Sequence, residues 1–307
     1  MRRLVALSSE LFRVPIEGLR TLFADRRFRW LVVGVIGVLA TACITIAVVL
    51  QFWLFPRIND YREDLSRLVG QELGVAVEVG HLHGEWSYVY PRFVLDDVVA
   101  FDAAHRPAVQ LSRISATLSW WEMLTGKLGF RSLTVRAPTL EFRRDKAGEF
   151  FLGGLPLSGG GDFQVDALLD QGELALISDK LTWIDAQRGS PVLTLRDVNI
   201  RLRSREARHR LDIGFTPPES LGGVFSGRVN WIGRSFSDWA QWQLTSTLKA
   251  GYVDFAAWKP WVVYPVVLNQ GRAKLDVTLS SVGLDITQVE GNVAMTDLNV
   301  RLAPSLE

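Results

Sequence analysis

The chain has 307 residues, of which 48% are apolar, so it can form one large hydrophobic core or two ordinary domains. Its formal net charge of +1 excludes the strongly positive field that is typical of nucleic-acid-binding proteins. The single cysteine, Cys43, lies in an apolar stretch. The rest of the chain therefore offers no disulfide, thiolate metal site or thiol nucleophile.

Residues 31–50 carry no charged side chain. About 20 helical residues span the roughly 30 Å hydrocarbon core of a bilayer. Aromatic side chains stand at both ends of the stretch, as they do in interfacial belts. We predict an arm over residues 1–29 and a transmembrane helix over residues 30–55, anchored by Trp30, Leu31, Leu50 and Trp53.

The charges beside this helix predict its orientation. Seven arginines and three acidic residues precede it, whereas the arginines that follow are interspersed with acidic residues. The positive-inside rule then places the N-terminus in the cytoplasm and the bulk of the chain outside it. Signal cleavage near Ala42-Cys43 is a weaker alternative, because the apolar run continues to Leu50. Twin-arginine export through Arg26-Arg27 is also weaker, because the residues that flank the two arginines fit poorly.

Residues 56–74 are predicted to form an amphipathic helix. Ile58, Tyr61, Leu65 and Leu68 recur at spacings of three and four, and Gly74 is placed to end the helix.

After Gly74 the apolar period changes to two, which predicts antiparallel strands with one apolar and one polar face. The alternation covers residues 75–79, 114–120, 198–202, 211–215, 242–249 and 273–279. Short helices are predicted near residues 120–124, 163–169 and 255–261. The fold class is mainly β: a transmembrane helix, a short amphipathic helix and an elongated, twisted antiparallel sheet that forms an open hydrophobic groove.

A glycine-rich stretch over residues 153–161 divides the β-rich part. We predict a first groove segment over 75–152, a linker over 153–162 and a second groove segment over 163–307. Residues 299–302 still have the pattern of a strand, so we expect the sheet to continue beyond this chain, as in a fragment of a longer protein. Asp97-Val98, Asp197-Val198 and Asp297-Leu298 repeat a turn residue before a strand, which weakly favours a repeating meander.

Few residues suggest chemistry. His81, His83 and Glu85 would share a face on a strand and could ligate a metal, but Gly80 and Gly84 favour a turn and no fourth ligand is evident. Adjacent carboxylates at positions 96 and 97 would point to opposite faces. The triple glycine at 159–161 lacks a P-loop lysine, and no nucleophile elbow is present. We predict no enzyme activity, no cofactor and no metal.

Five arginines cluster around a predicted hairpin turn: Arg201, Arg203, Arg205, Arg208 and Arg210. The cluster is either a solvated hairpin or a surface for anionic head groups.

Motifs along the chain resemble the AsmA-like family. They include Val77-x-Val79-Gly80-x-Leu82-x-Gly84-x-Trp86, Pro91-x-Phe93-x-Leu95-x-Asp97-Val98, Leu124-x-Gly126-Lys127-Leu128, Leu133-x-Val135-x-Ala137-Pro138-x-Leu140 and Asp145-x-x-Gly148. The later Leu181-Thr182-Trp183-x-Asp185 and Leu195-Arg196-Asp197-Val198 are most similar to the YhdP branch.

The resemblance implies a bacterial inner-membrane protein whose body lies in the periplasm and carries phospholipids toward the outer membrane in an apolar β-groove. Its implied partners are phospholipids, the inner membrane and other periplasmic or outer-membrane proteins. Candidate lipid-lining residues from the alternation are Val198, Ile200, Leu202, Leu211, Ile213, Phe215, Leu275, Val277 and Leu279. The alternative is a closed β-rich scaffold or assembly factor for outer-membrane biogenesis that conducts no lipid, since a sealed sandwich needs the same alternation.

Overall fold

The computed structural model describes residues 26–102, 104–120, 122, 129–156, 169, 171–262, 267–283 and 285–301. The chain divides into a helical unit that ends at Leu54 and a β-rich unit that begins at Phe55.

The helical unit contains helix α1, Arg26–Val49, and a π-helical turn, Leu50–Leu54. Apolar side chains cover its surface, and Trp30 is 66% exposed. Among the described residues, one helical stretch within Arg29–Gln71 is long and apolar enough to cross a membrane, by length and composition. The predicted membrane-length helix is therefore confirmed.

The β-rich unit begins with a 3-10 helix, Phe55–Tyr61, followed by helix α2, Arg62–Leu73. Gly74 ends α2 in the left-handed conformation, with φ +66°, and donates its backbone N–H to the Gly70 carbonyl. A glycine suits this position because it has no Cβ to clash there. The amphipathic helix thus forms over the predicted residues, with a 3-10 first half.

Thirteen strands form a single open sheet in the described part of the chain. They are β1 Val77–Ser87, β2 Tyr90–Phe101, β3 Pro107–Leu118, β4 Phe130–Arg144, β5 Phe150–Leu152, β6 Leu155–Pro156, β7 Glu173–Asp185, β8 Leu193–Arg205, β9 Arg208–Thr216, β10 Phe225–Ile232, β11 Gln243–Asp254, β12 Val267–Val282 and β13 Asp285–Arg301.

The sheet path has eleven strands in chain order, from β1 to β13, with β5 and β6 attached beside β4. Neighbours along this path are antiparallel except β4 and β7, which are parallel. A parallel pair needs a long connection, and the chain between β4 and β7 supplies one. The mainly β, open-sheet prediction is confirmed, with this one departure from purely antiparallel pairing.

The glycine-rich stretch begins as a tight hairpin. Gly153 and Gly154 have φ values of +58° and +93° and join β5 to β6. The rest of the predicted linker lies outside the described residues, as does most of the helix predicted over 163–169. A short helix α3, Phe255–Trp258, forms near the predicted position, and Trp120 and Glu122 are helical.

A line of irregular positions crosses the first six strands of the path. At these positions one pair of residues is skipped in the pairing of two neighbouring strands, as between β1 and β2 or between β7 and β8. We call this line the crease; its members are Gly80, Asp97, Ser112, Pro138, Asp179 and Asp197. Asp97 and Asp197 adopt the left-handed conformation, with φ values of +55° and +52°. The repeated Asp-Val motif therefore lies within strands, so its interpretation as a turn before a strand is wrong.

The crease shifts the side-chain alternation by one residue while keeping apolar side chains on one face. Leu176 precedes it and Leu181 follows it at an odd spacing, yet both pack against the cluster of Val109, Ala137 and Leu140. In an unbroken strand that spacing would place the two leucines on opposite faces. The two aspartates tolerate the conformation that this shift requires.

The two edges of the sheet differ. Along β1, Asn59 Oδ1 accepts a hydrogen bond of 3.0 Å from the Leu82 backbone N–H, and the 3-10 helix buries Ile58. Strand β13 has neighbours on one side only within the described residues. One edge is therefore covered by the chain's own helix, and the other is open.

Asp185 ends β7 in a buried ion pair. Its side chain is 4% exposed and accepts hydrogen bonds from Arg144, one of them 3.0 Å from Nε, and from the Arg188 backbone N–H at 3.0 Å. The hydrogen bond from Arg144 holds the pKa of Asp185 below its ordinary value of 3.8, against the raising effect of burial.

Replacing Asp197 with valine is expected to destabilise the protein by about 2 kcal/mol, because a β-branched residue is strained at positive φ. Asp197→Gly should stay within about 0.5 kcal/mol of the wild type. Urea unfolding of the detergent-solubilised chain measures both. Asn199→Val, two residues along the same strand in ordinary strand conformation, is the control; an equal loss there would contradict the role of the crease.

Asp185→Asn should destabilise the protein by about 2 kcal/mol at neutral pH, since it removes charged hydrogen bonds from a buried group. The lowered pKa means that this stability is present above pH 3.8 and is lost as the pH falls through the folded-state pKa. The difference in Tm between wild type and variant should therefore close on acidification below pH 3.8. Asp102→Asn, which removes an exposed pair with Arg106, should have a smaller effect; a pH-independent difference for Asp185→Asn would contradict the assignment.

Candidate functional site

One face of the sheet is a continuous apolar surface, which we call the apolar face. Residues directly opposite each other on paired strands share a face, so strand register shows which side chains lie side by side. A first cross-strand row runs through all eleven strands of the path: Leu82, Leu95, Ile114, Val135, Leu176, Ile200, Ile213, Gly227, Leu248, Val277 and Gly291.

A second row lies beside the first, about 7 Å along the strands. Its members are Gly84, Phe93, Ala116, Leu133, Leu174, Leu202, Leu211, Val229, Ser246, Leu279 and Val289. Ser246 is the one residue in it with a polar side chain. Ten steps of about 4.8 Å between strands make each row roughly 50 Å long.

A third row begins near the crease and continues to the open edge. It contains Ala137, Ser178 and Val198, then Phe215, Phe225, Ala250, Leu275 and Val293. Val198 and its neighbour Asp197 lie opposite Phe215 at a bulge. All nine residues predicted to line the groove thus belong to three adjacent rows of one face.

The two rims of the apolar face are covered by short segments of the chain. At one rim, Leu152 and Leu155 of the β5–β6 hairpin pack on the cluster around Ala137. Further along it, Phe255 and Trp258 of α3 pack on Phe225. These segments cover this rim of the apolar face but do not extend across the face.

The opposite rim is lined by aromatic rings. Phe55 lies 5.5 Å from Trp86 and 5.9 Å from Phe93, measured between ring centroids. A Cβ on Gly84 would stand 2.2 Å from the Phe55 ring, so glycine is required for this contact. Further along, Trp231 stacks on Trp242 with centroids 5.4 Å apart.

The first row lies between the second and third rows and has no covering layer among the described residues. Ile114, Ile200, Ile213 and Val277 are half-buried by their neighbours in the sheet, and Leu248 is 39% exposed. Side chains are more exposed at the open edge, where Val289 of the second row is 62% exposed. A large exposed apolar surface between covered rims is typical of a binding site for apolar ligands or partners.

The other sequence candidates lie on the opposite face, which we call the polar face. His81, His83 and Glu85 lie on β1, so the turn that Gly80 and Gly84 suggested is wrong: both glycines lie within the strand. His83 Nδ1 is 3.6 Å from the Asp96 carboxylate, and Glu85 pairs with Arg92 at 3.2 Å. Within the described ranges, no group of three histidine, cysteine or acidic side chains is arranged to hold a metal ion.

Asp96 and Asp97 do not act together. Asp96 accepts a 2.6 Å hydrogen bond from Arg113 Nε, which raises the pKa of Arg113 further. Asp97 occupies the crease.

The predicted anchor residues belong to the helical unit. Trp30, Leu31 and Trp53 are more than half exposed, and Leu50 is buried. Exposed aromatic and aliphatic side chains of this size are suited to a lipid environment.

The sequence alternation identified the apolar face but missed the residues at its rims. Leu152 and Leu155 lie in the two short strands of a hairpin, and Phe55 and Trp258 lie in short helices, so none of them belongs to a run long enough to show a period of two. The alternation also gave no sign of the crease, beyond the repeated Asp-Val pairs.

The family model for the YhdP protein matches residues 19–307. Searches of curated proteins and of solved structures gave no match. The YhdP family is a membrane-associated, AsmA-like family and is not a known enzyme family. With its apolar helix, its open β-sheet and a match over nearly its whole length, the chain belongs to the YhdP family of AsmA-like proteins.

Proposed function

We propose that this protein carries phospholipids along the apolar face of its sheet, between the inner and outer membranes of a bacterium. The helix α1 anchors it in the inner membrane with the N-terminus in the cytoplasm, and the β-rich unit lies in the periplasm. The observation that carries the proposal is the first row, which crosses eleven paired strands and has no covering layer among the described residues.

The energetics favour acyl chains on such a surface. Each methylene group removed from water contributes about 0.8 kcal/mol. A row of half-buried aliphatic side chains offers similar contacts at every strand, so a chain that moves from one strand to the next meets little change in free energy. Transport of this kind requires no bond to be made or broken.

The rims suit the two parts of a phospholipid. The covered rims confine the exposed apolar surface to the first row and its neighbours. Among the described residues, no second layer occupies the space in which head groups would stay in solvent. At one rim, the half-buried Trp86 combines a large apolar ring with a polar N–H, a combination that is common where apolar and aqueous phases meet.

Photo-crosslinking amino acids placed at Ile200, Ile213 and Val277 should capture phospholipid in living cells. Each position lies in the first cross-strand row. Thr278 and Glu290 are matched controls, because they are opposite each other on the polar face of β12 and β13. Mass spectrometry of the purified adducts identifies the lipid. Capture of protein neighbours alone at the three apolar positions would exclude lipid transport and favour the scaffold function.

Gly227 provides a test of continuity. It lies in the first row between Ile213 and Leu248, and a Cβ there would be 4.0 Å from its nearest neighbour, the Thr247 carbonyl. Gly227→Arg should reduce lipid crosslinking on one side of it, at Ile200 or at Val277, by more than about tenfold, because desolvating an unpaired charge costs several kcal/mol.

Gly227→Leu is the matched control and should leave crosslinking within about twofold of the wild type, since it adds an apolar group to the row. Comparable Tm values for both variants would show that each is folded. Equal lipid capture at Ile200 and Val277 in the arginine variant would contradict movement along this row.

A further inference from the structure

The polar face of β8, β9 and β10 carries an excess of arginine. Six guanidinium groups lie there, and we call them the arginine cluster: Arg201, Arg203, Arg205, Arg208, Arg210 and Arg228. Two carboxylates, Glu173 and Asp212, make ion pairs with this cluster. A third acidic residue, Glu206, lies in the turn between β8 and β9.

The two carboxylates are shared among several cations. Asp212 is 2.8 Å from Arg210, 2.7 Å from Arg228 and 3.4 Å from Arg203. Although burial raises the pKa of Asp212, hydrogen bonds from Arg210 and Arg228 outweigh that effect and lower it. Asp212 is therefore ionised at neutral pH, and one negative charge faces three positive charges.

The pairing register sets arginines directly against each other. Arg203 is opposite Arg210, and Arg205 is opposite Arg208. Like charges in opposite positions of an antiparallel pair destabilise the sheet. Within the described residues, the side chains of Arg205 and Arg208 make no hydrogen bond or ion pair. This arrangement weakens the hairpin, and no side-chain contact among the described residues offsets the repulsion.

Arg201 also has unused hydrogen-bonding capacity. Its Nε lies 3.4 Å from Glu173 Oε1 without hydrogen-bond geometry, and this buried nitrogen has no partner in the described part of the chain. A buried donor without an acceptor costs about 1–3 kcal/mol, so an oxyanion that accepts from it would be favoured.

The arginines surround two adjoining cavities on the polar face. One, of 380 Å³, is lined by Arg201, Arg203, Arg210 and Arg228, together with Thr247 and Lys249. The other, of 490 Å³, is lined by Arg203, Arg205, Arg208 and Arg210. Arg203 and Arg210 belong to both, so a ligand in either cavity would meet the opposed pair.

We propose that these two cavities form a binding site for phosphate esters. The planar guanidinium fork matches tetrahedral oxyanions, and a phosphate accepts from several arginines at once. A phosphate ester between Arg203 and Arg210, or between Arg205 and Arg208, supplies the negative charge that each pair lacks. The site lies on the opposite face from the apolar rows, so it is independent of lipid in the groove.

The test uses the full chain in nanodiscs of phosphatidylcholine. Isothermal titration with glycerol phosphate, with inorganic phosphate as a second probe, measures binding of the soluble form. Flotation with phosphatidylcholine vesicles, with and without phosphatidylglycerol, measures binding of lipid head groups. Binding in either arm supports the site, and the arm that binds identifies the source of the phosphate.

Two double variants test the assignment. Arg205→Gln with Arg208→Gln, and Arg203→Gln with Arg210→Gln, should each weaken binding by about tenfold or more. In the Arg205→Gln with Arg208→Gln variant, removing opposed like charges should leave Tm unchanged or raised, which separates loss of binding from loss of folding. Arg196→Gln is the matched control, because this exposed arginine lies on the same face of β8 outside both cavities.

Binding that is unchanged in both double variants, or equally reduced in Arg196→Gln, would overturn the proposal, as would the absence of binding in both arms. Lipid crosslinking at Ile213 should be unaffected by the double variants, so the groove and the phosphate site can fail separately.

Discussion

The β-rich unit depends on one constraint: its apolar side chains must share one face of a sheet, and no second sheet covers that face in the described part of the chain. In a sandwich, that face would be buried by an equivalent layer. Among the described residues, its side chains pack against their neighbours in the sheet and against short segments at the rims. Lateral contacts and backbone hydrogen bonds therefore supply much of the free energy of folding in this part of the chain.

The crease preserves this face in strands of eleven to fifteen residues. A shift of alternation in one strand alone would turn its apolar residues toward water. The crease positions lie opposite each other on β1 to β3, at Gly80, Asp97 and Ser112, and again on β4, β7 and β8, at Pro138, Asp179 and Asp197. The strands of each set therefore shift together. The sheet also largely separates its chemistry by face: aliphatic rows lie on one side, and the arginine cluster with its ion pairs lies on the other. The buried Arg144–Asp185 pair is an exception, because it lies on the same side as Leu140 and Leu181.

The sequence predicted the parts of this fold that local periodicity encodes. The alternation in residues 198–202, 211–215 and 273–279 places nine side chains on the same face, as the register shows. The alternation did not reveal that β4 and β7 pair in parallel, because the pairing of two strands depends on contacts between segments that are distant in the chain. The alternation also could not predict that Phe55 packs over Gly84 or that Leu152 packs on the cluster around Ala137. These contacts join different segments of the chain, and a period within one strand does not indicate them. Likewise, the arginine residues were visible, but their direct opposition depends on the hairpin register.

The two edges of the sheet differ, so a further strand can be added at one edge only. At β1 the 3-10 helix occupies the hydrogen-bonding edge through Asn59, so a further strand cannot add there. At β13 the backbone edge and the ends of all three apolar rows coincide, at Gly291, Val289 and Val293. Any strand that paired with β13 in the same register would lengthen each row by about 4.8 Å without changing its width. The number of strands therefore sets the length of the apolar face, while the apolar area contributed by each strand stays constant.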